Sequence, residues 1–207
     1  MKILCLSDTH GYHRKLEPLP EADVVVHSGD FSHLGNVWHT EDFLDWFRSL
    51  PIRHKVLIAG NHDIEFYQNW QFSQAGENKK LPFDLEGIHY LMDDSVVLDG
   101  IKFYGSPWQP EFCDMAFNLP RSGFELEQAW SKIPSDTQVL LTHTPPSGML
   151  DQTRSGFHAG CEHLAVRIQQ LRQLKLHVFG HIHEATGTAD ENGVTFVNAF
   201  KFSCIEI

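Results

Sequence analysis

Five short apolar runs, each followed within a few residues by Gly, Ser or Thr and then by Asp, Asn or His, constrain this chain more than anything else in it. The runs are Ile3 to Leu6, Val24 to Val26, Val56 to Ile58, Val139 to Leu141 and Val178-Phe179. The polar blocks behind them are Ser7-Asp8-Thr9-His10, Ser28-Gly29-Asp30, Gly60-Asn61-His62-Asp63, Thr142-His143 and Gly180-His181-Ile182-His183. Short β-branched runs closed by turn formers read as buried parallel strands that present side chains at their carboxyl ends. Asp, Asn and His gathered at such ends make a site for two divalent metal ions.

The spacing adds detail. Asp8 and His10 stand at i and i+2, which places both on one side if the strand continues to its end. Asp30 has two carboxylate oxygens and can bridge ions about 3.5–4 Å apart. Asn61 offers a neutral amide oxygen. A nitrogen and oxygen set without thiolate suits Mn²⁺, Fe, Zn²⁺ or Co²⁺ better than Ca²⁺ or Cu(I), and manganese is the first expectation.

The order Asp-x-His, Gly-Asp, Gly-Asn-His-Asp, His, Gly-His-x-His resembles the calcineurin-like metallophosphoesterase superfamily. Gly105-Ser106-Pro107-Trp108, Ala116-Phe117-Asn118-Leu119 and Thr142-His143-Thr144-Pro145-Pro146 are similar to its metallophosphoesterase-domain-containing (MPPED-like) branch. The resemblance implies that one ion takes Asp8, His10, Asp30 and His183, and the other Asp30, Asn61, His143 and His181. It also implies that His62 points at substrate. A histidine near its ordinary pKa of about 6.5 can protonate a departing alkoxide. His33, just past Asp30, and Trp108, through base stacking, are further candidates for substrate contact.

Between the blocks the pattern changes period. Thr40 is placed to cap a helix over Glu41 to Leu50, with Phe43, Trp46, Phe47 and Leu50 on one face. Cys161 to Leu174 and Glu125 to Lys132 read as further helices. Ile88 to Leu91, Ser95 to Leu98 and Ile101 to Tyr104 read as strands, with a hairpin at Asp99-Gly100. Ala185 to Thr188 and Val194 to Asn198 flank a second hairpin, and Phe202 to Ile207 forms a last strand. Two packed mixed sheets flanked by helices follow, the α/β four-layer α/β/β/α sandwich that the resemblance implies.

A chain of 207 residues suits one domain over 1–207. No apolar run approaches the roughly 20 residues of a membrane span. The first strand begins at once, too early for a signal-peptide core. Cys5, Cys113, Cys161 and Cys204 form no Cys-x-x-Cys pair, and Cys5 and Cys204 read as buried hydrophobes. The expected location is cytoplasmic. The net charge of −11 argues against an extended nucleic-acid footprint. It does not exclude a small phosphate ester, because bound cations would dominate the local field.

The expected function is a dinuclear-metal phosphoesterase in which a metal-bridging hydroxide attacks phosphorus. The resemblance favours small or cyclic-nucleotide-type diesters. A phosphomonoesterase on the same core, and a nucleotide-binding regulator with vestigial catalysis, are the alternatives. The residues leave the oligomeric state open.

Overall fold

Alternation along the buried strands sorts the chain into layers. In the computed structural model, which describes residues 1–77 and 79–207, β1 (Lys2–Ser7), β2 (Val24–Ser28), β3 (His54–Ile58) and β4 (His89–Tyr90) run parallel, and β13 (Lys201–Glu206) pairs antiparallel with β1. They form a five-stranded sheet in the order β13-β1-β2-β3-β4.

The second sheet has six strands in the order β11-β12-β10-β9-β6-β5. Its members are β5 (Asp94–Leu98), β6 (Ile101–Ser106), β9 (Val139–Thr142), β10 (Leu176–Phe179), β11 (Gly187–Glu191) and β12 (Val194–Asn198). The hairpins β5–β6 and β11–β12 supply its antiparallel pairs. A two-stranded parallel ribbon joins β7 (Gln109–Pro110) to β8 (Asn118–Leu119).

Ile3 and Cys5 of β1, Val24 and Val26 of β2, Val139 and Leu141 of β9, and Leu176 and Val178 of β10 form one apolar cluster between the sheets. The alternate residues, among them Leu4, Leu6, Val25, Leu57 and Leu140, join the helices in a second cluster. Period-two alternation thus fills an inter-sheet core with one half of each strand and a helix-facing core with the other. The result is the four-layer sandwich of two mixed sheets flanked by helices.

The helices are α1 (Val37–Ser49), α2 (Ile64–Gln74), α3 (Phe124–Ser131) and α4 (Glu162–Ile168). α1 begins earlier than its apolar stripe suggests, because Asn36 caps it by accepting from the His39 N–H at 3.2 Å. Thr40 lies inside the first turn, its hydroxyl donating to the Asn36 carbonyl. α4 ends at Ile168 rather than Leu174. Single turns from Arg167 to Gln170 and from Ile168 to Leu171 follow it, and they keep Leu171 and Leu174 buried without helix. α2 has no counterpart in the sequence reading, since Phe66 is its one fully buried apolar side chain and the periodic signal is faint.

Both expected hairpins form, with Asp99-Gly100 and Asn192-Gly193 all at positive φ, the conformation a two-residue type I′ turn requires. Cys204 is exposed on edge strand β13 rather than buried, while Cys5 is buried, and all four cysteines are free.

Three buried histidines tie this fold to pH. His27 of β2 meets the Thr9 hydroxyl at 3.1 Å and His177 of β10 meets Thr142 at 2.8 Å. Burial pushes both down to about 3, and it holds the buried His13 at about 4 despite Asp42. These folded values lie below the unfolded value of about 6.5. The unfolded chain therefore takes up protons that the fold refuses, and the stability present above pH 6.5 drains as pH falls toward 4. Each histidine contributes a slope of up to about 1.4 kcal/mol per pH unit. Urea midpoints of metal-free protein are expected to fall steeply between pH 6.5 and 5; a flat profile would contradict this account.

Candidate metal centre

Each polar block begins where a strand stops. β1 ends at Ser7, so Asp8 and His10 are aimed by the loop that follows and not by strand alternation. Asp8, His10, Asp30 and His181 all adopt positive φ, at 53°, 44°, 58° and 65°. Non-glycine residues pay for that conformation, and such strain persists where the surroundings over-determine it. Four instances converge here.

The side chains meet at short range. Asp30 Oδ2 lies 3.4 Å from His143 Nε2 and 3.9 Å from His10 Nε2, within reach of both rings. His183 Nε2 is 3.2 Å from Asp8 Oδ1 and 3.5 Å from His10 Nε2. Asn61 Oδ1 is 2.9 Å from His143 Nε2, and the Asn61 amide nitrogen faces Met115 Sδ at 3.1 Å, which turns the oxygen inward. His181 donates its backbone N–H to Asp8, and its ring lies 5.0 Å from that of His143. Asp8, His10 and His183 therefore form one group of ligand atoms and Asp8, Asp30 and His143 another, with Asn61 against His143.

The donor chemistry fits cations. His143 Nδ1 donates to the Ser28 carbonyl at 2.9 Å and His10 Nδ1 to the Ser32 carbonyl at 3.3 Å. With each ring neutral, its Nε2 lone pair then faces inward at other acceptors, a place that a proton or a metal ion would fill. Asp8 and Asp30 are buried, and among the described residues their only ion-pair partners are histidines. Buried carboxylates without Lys or Arg call for other positive charge. Burial alone would raise the Asp30 carboxyl, yet His143, His10 and His62 hold it well below the usual range. Burial would likewise lower His143, but Asp30 and Asp8 outweigh it and push the ring up to about 9. The field at this point favours positive charge. Two divalent ions suit it.

His62 is held differently. Its Nδ1 accepts the Leu34 N–H at 3.3 Å, leaving Nε2 as the proton-bearing atom of the neutral ring, 3.9 Å from Asp30 Oδ2. Burial lowers its pKa. His33 stacks on it with ring centroids 5.3 Å apart, and His10, His33 and His62 form one cluster. His33 thus joins the site.

Asp63, next to His62 in the chain, turns away from it to the backbone. Its Oδ2 accepts the N–H groups of Asp30 and Gly60, both at 2.8 Å, and its Oδ1 that of Ser32 at 2.9 Å. One buried carboxylate thereby ties the loops after β2 and β3 together. Asp63→Ala leaves three N–H groups without an acceptor, each costing about 1 kcal/mol or more. A loss of about 3 kcal/mol and a fall of roughly 6–12 °C in thermal midpoint are expected for a chain of this size. Calorimetry checks it; a midpoint within a degree of the parent would refute the tie.

Two glycines matter by closeness. A Cβ at Gly60 would strike Asp30 and His143, and one at Gly180 would strike Asp8 and Ser7. Gly60 is therefore required by this approach and not by a turn.

Trp108 is a correction. It is 5% exposed, its Nε1 donates to Asp93 at 3.1 Å, and it packs on Trp70 and Phe117. It has no free face for a base and serves to anchor its loop. Sequence reasoning missed Phe200, whose ring stacks on His183 at 4.2 Å with an interplanar angle of 5°. Nothing in its neighbourhood in the chain marks it, since the contact depends on β13 returning beside β1.

Comparison with known proteins bears on this geometry. Residues 1–185 match the calcineurin-like phosphoesterase family. Metallophosphoesterase domain-containing protein 1 of Homo sapiens is 37% identical over 96% of this chain, and the chain spans 65% of that protein's length. A 3′,5′-cyclic-nucleotide phosphodiesterase of a Nostoc species is 26% identical over 83% of this chain and 60% of its own. Among solved structures, a Thermus thermophilus protein shares the fold at a TM-score of 0.62 and 16% identity, over 96% of this chain and 88% of that one.

Proposed function

Because the chain belongs to the calcineurin-like phosphoesterase family, whose members use a dinuclear divalent metal centre, we propose that it is a phosphodiesterase acting on small diesters, cyclic nucleotides among them. The observation that carries this reading is that Asp30 Oδ2 lies within reach of both His10 and His143, with His183 against Asp8 and His10 and Asn61 against His143. Asp8, His10, Asp30 and His183 would hold one ion; Asp30, Asn61, His143 and His181 the other. When bound, the ions supply positive charge that activates water toward phosphorus and offsets the charge on the phosphoryl oxygens.

The chain's own residues do the rest. His62 presents Nε2–H to the substrate and gives its proton to the departing oxygen. His33, stacked on it, confines that ring to one plane. Ser28 and Ser32 carbonyls hold His143 and His10 in the tautomer that turns each Nε2 inward.

Diesters are preferred to monoesters on two grounds. The Nostoc relative is named a cyclic-nucleotide phosphodiesterase, and the cavity beside the ligands has room for a second ester arm, with Tyr12, Leu16 and Phe200 in its lining beside Lys15 and Lys201. Manganese is the ion we expect, and the cytoplasm the compartment, with 1–207 as one folding unit.

Chelator-treated and Mn²⁺-reloaded protein should be compared on bis(4-nitrophenyl) phosphate and 4-nitrophenyl phosphate, with elemental analysis and melting curves. Chelation is expected to abolish hydrolysis and lower the thermal midpoint together, because the ligands come from five strand ends, and Mn²⁺ to restore both. Full activity in metal-free protein would sink the dinuclear reading. Faster turnover of the monoester would move the assignment to a phosphomonoesterase.

A further inference from the structure

A cavity of about 510 Å³ opens beside Asp8 and His183 and runs past His62. That is the volume of a small organic molecule and more than a phosphate group needs. Beyond the ligands its walls are Tyr12, Leu16 and Phe200, and two lysines, Lys15 and Lys201, line it as well. Tyr12 is 63% exposed, and the Lys15 ammonium sits 4.2 Å above its ring. Phe200 is fixed by its stack on His183.

The lysines matter by position. The chain carries 27 acidic against 16 basic residues, yet the charged side chains that line this cavity beyond the ligands are Lys15 and Lys201. Among the described residues neither is held by a carboxylate, a condition they share with Lys2, Lys55, Lys80 and Lys175. Both are brought here by the strand that carries the first ligands. Lys201 stands opposite Ser7 in the β1–β13 register, one residue before Asp8. Lys15 lies in the 3₁₀ turn His13–Leu16, shortly after His10.

His62 borders the same cavity, so the group attached to the oxygen it protonates would enter there. We propose that this cavity is the leaving-group pocket and that it selects an alcohol with a flat, apolar body bearing a negative charge of its own. Tyr12, Leu16 and Phe200 cover the body, and Lys15 and Lys201 receive the anion. The assignment rests on the phosphodiesterase reading, which seats the scissile phosphate on the metal ligands, and it favours an open diester over a 3′,5′-cyclic one, whose leaving oxygen stays on a nucleoside without a charge of its own.

Calorimetric titration of the Mn²⁺-loaded protein with phenylphosphonate and 3-carboxyphenylphosphonate tests it, since neither is hydrolysed. The carboxylated ligand is expected to bind about five-fold tighter at low salt, the scale of two exposed charge contacts. The advantage should shrink as ionic strength rises to about 0.5 M. Lys15→Gln/Lys201→Gln is expected to erase the difference between the ligands, whatever happens to both affinities together. Equal affinities in the parent, or an advantage that survives in the double variant, would overturn the proposal. Turnover of bis(4-nitrophenyl) phosphate by the same samples separates the two ideas. A carboxylate preference without turnover keeps the pocket and sinks the hydrolase reading; turnover without the preference does the reverse.

Discussion

Asp30→Asn is expected to strip the centre of metal and lower diester hydrolysis by roughly 10³-fold or more, while leaving the fold intact. Asp30 Oδ1 accepts the His62 backbone N–H at 2.8 Å, a bond an asparagine oxygen can keep. Oδ2 is the atom among His10, His62 and His143. An amide NH₂ there offers protons to imidazole lone pairs and so supplies locally what a cation would. The variant should therefore melt no lower than metal-free parent protein, yet bind few ions by elemental analysis. Two metals per chain with parental turnover in Asp30→Asn would remove Asp30 from the bridging role.

His62→Ala separates proton transfer from ligation. The variant is expected to retain both metals and to lose roughly 10²–10⁴ in rate on a diester with an alkyl leaving group. On bis(4-nitrophenyl) phosphate the loss should be small, because nitrophenolate departs without a proton. The contrast in kcat/KM between the two leaving groups is the decisive quantity. Equal losses on both would mean that His62 is not the acid. Loss of metal in the variant would make it a support for the ligands, through Leu34 on one side and Asp30 on the other.

Much of this architecture can be read from the chain because its central strands are short and buried. Strand ends rich in Gly, Ser and Thr mark where ligands leave each sheet, and Asp99-Gly100 and Asn192-Gly193 specify their turns locally. Asp8, His10, Asp30, Asn61, His143 and His183 lie near one another at their strand ends, as the family resemblance implies, although left-handed loops and not strand alternation aim the first two. What was not legible depends on distant partners. Asp63 reads at most as a support beside His62, and only the approach of the loop after β2 brings its carboxylate to three backbone N–H groups. Trp108 reads as a stacking aromatic until Trp70, Phe117 and Asp93 enclose it. Phe200 and Lys201 depend on the closing strand β13, and the faint period of α2 reflects a helix with one fully buried apolar side chain.

The two sheets contribute to the centre unequally but jointly. Asp8, His10, Asp30 and Asn61 leave strands of the five-stranded sheet; His143, His181 and His183 leave strands of the six-stranded one. Bound ions would act as a rivet through both plates, and the rivet holes align only at one relative setting of the plates. That setting is fixed by the side chains wedged between them, Val26 and Val56 from one face and Leu141 and Val178 from the other. Close-packed interiors transmit a change of one methylene as displacement. Trimming or overfilling this wedge would therefore misalign the holes, so that ion affinity becomes a gauge of inter-sheet spacing and fails before the plates themselves come apart.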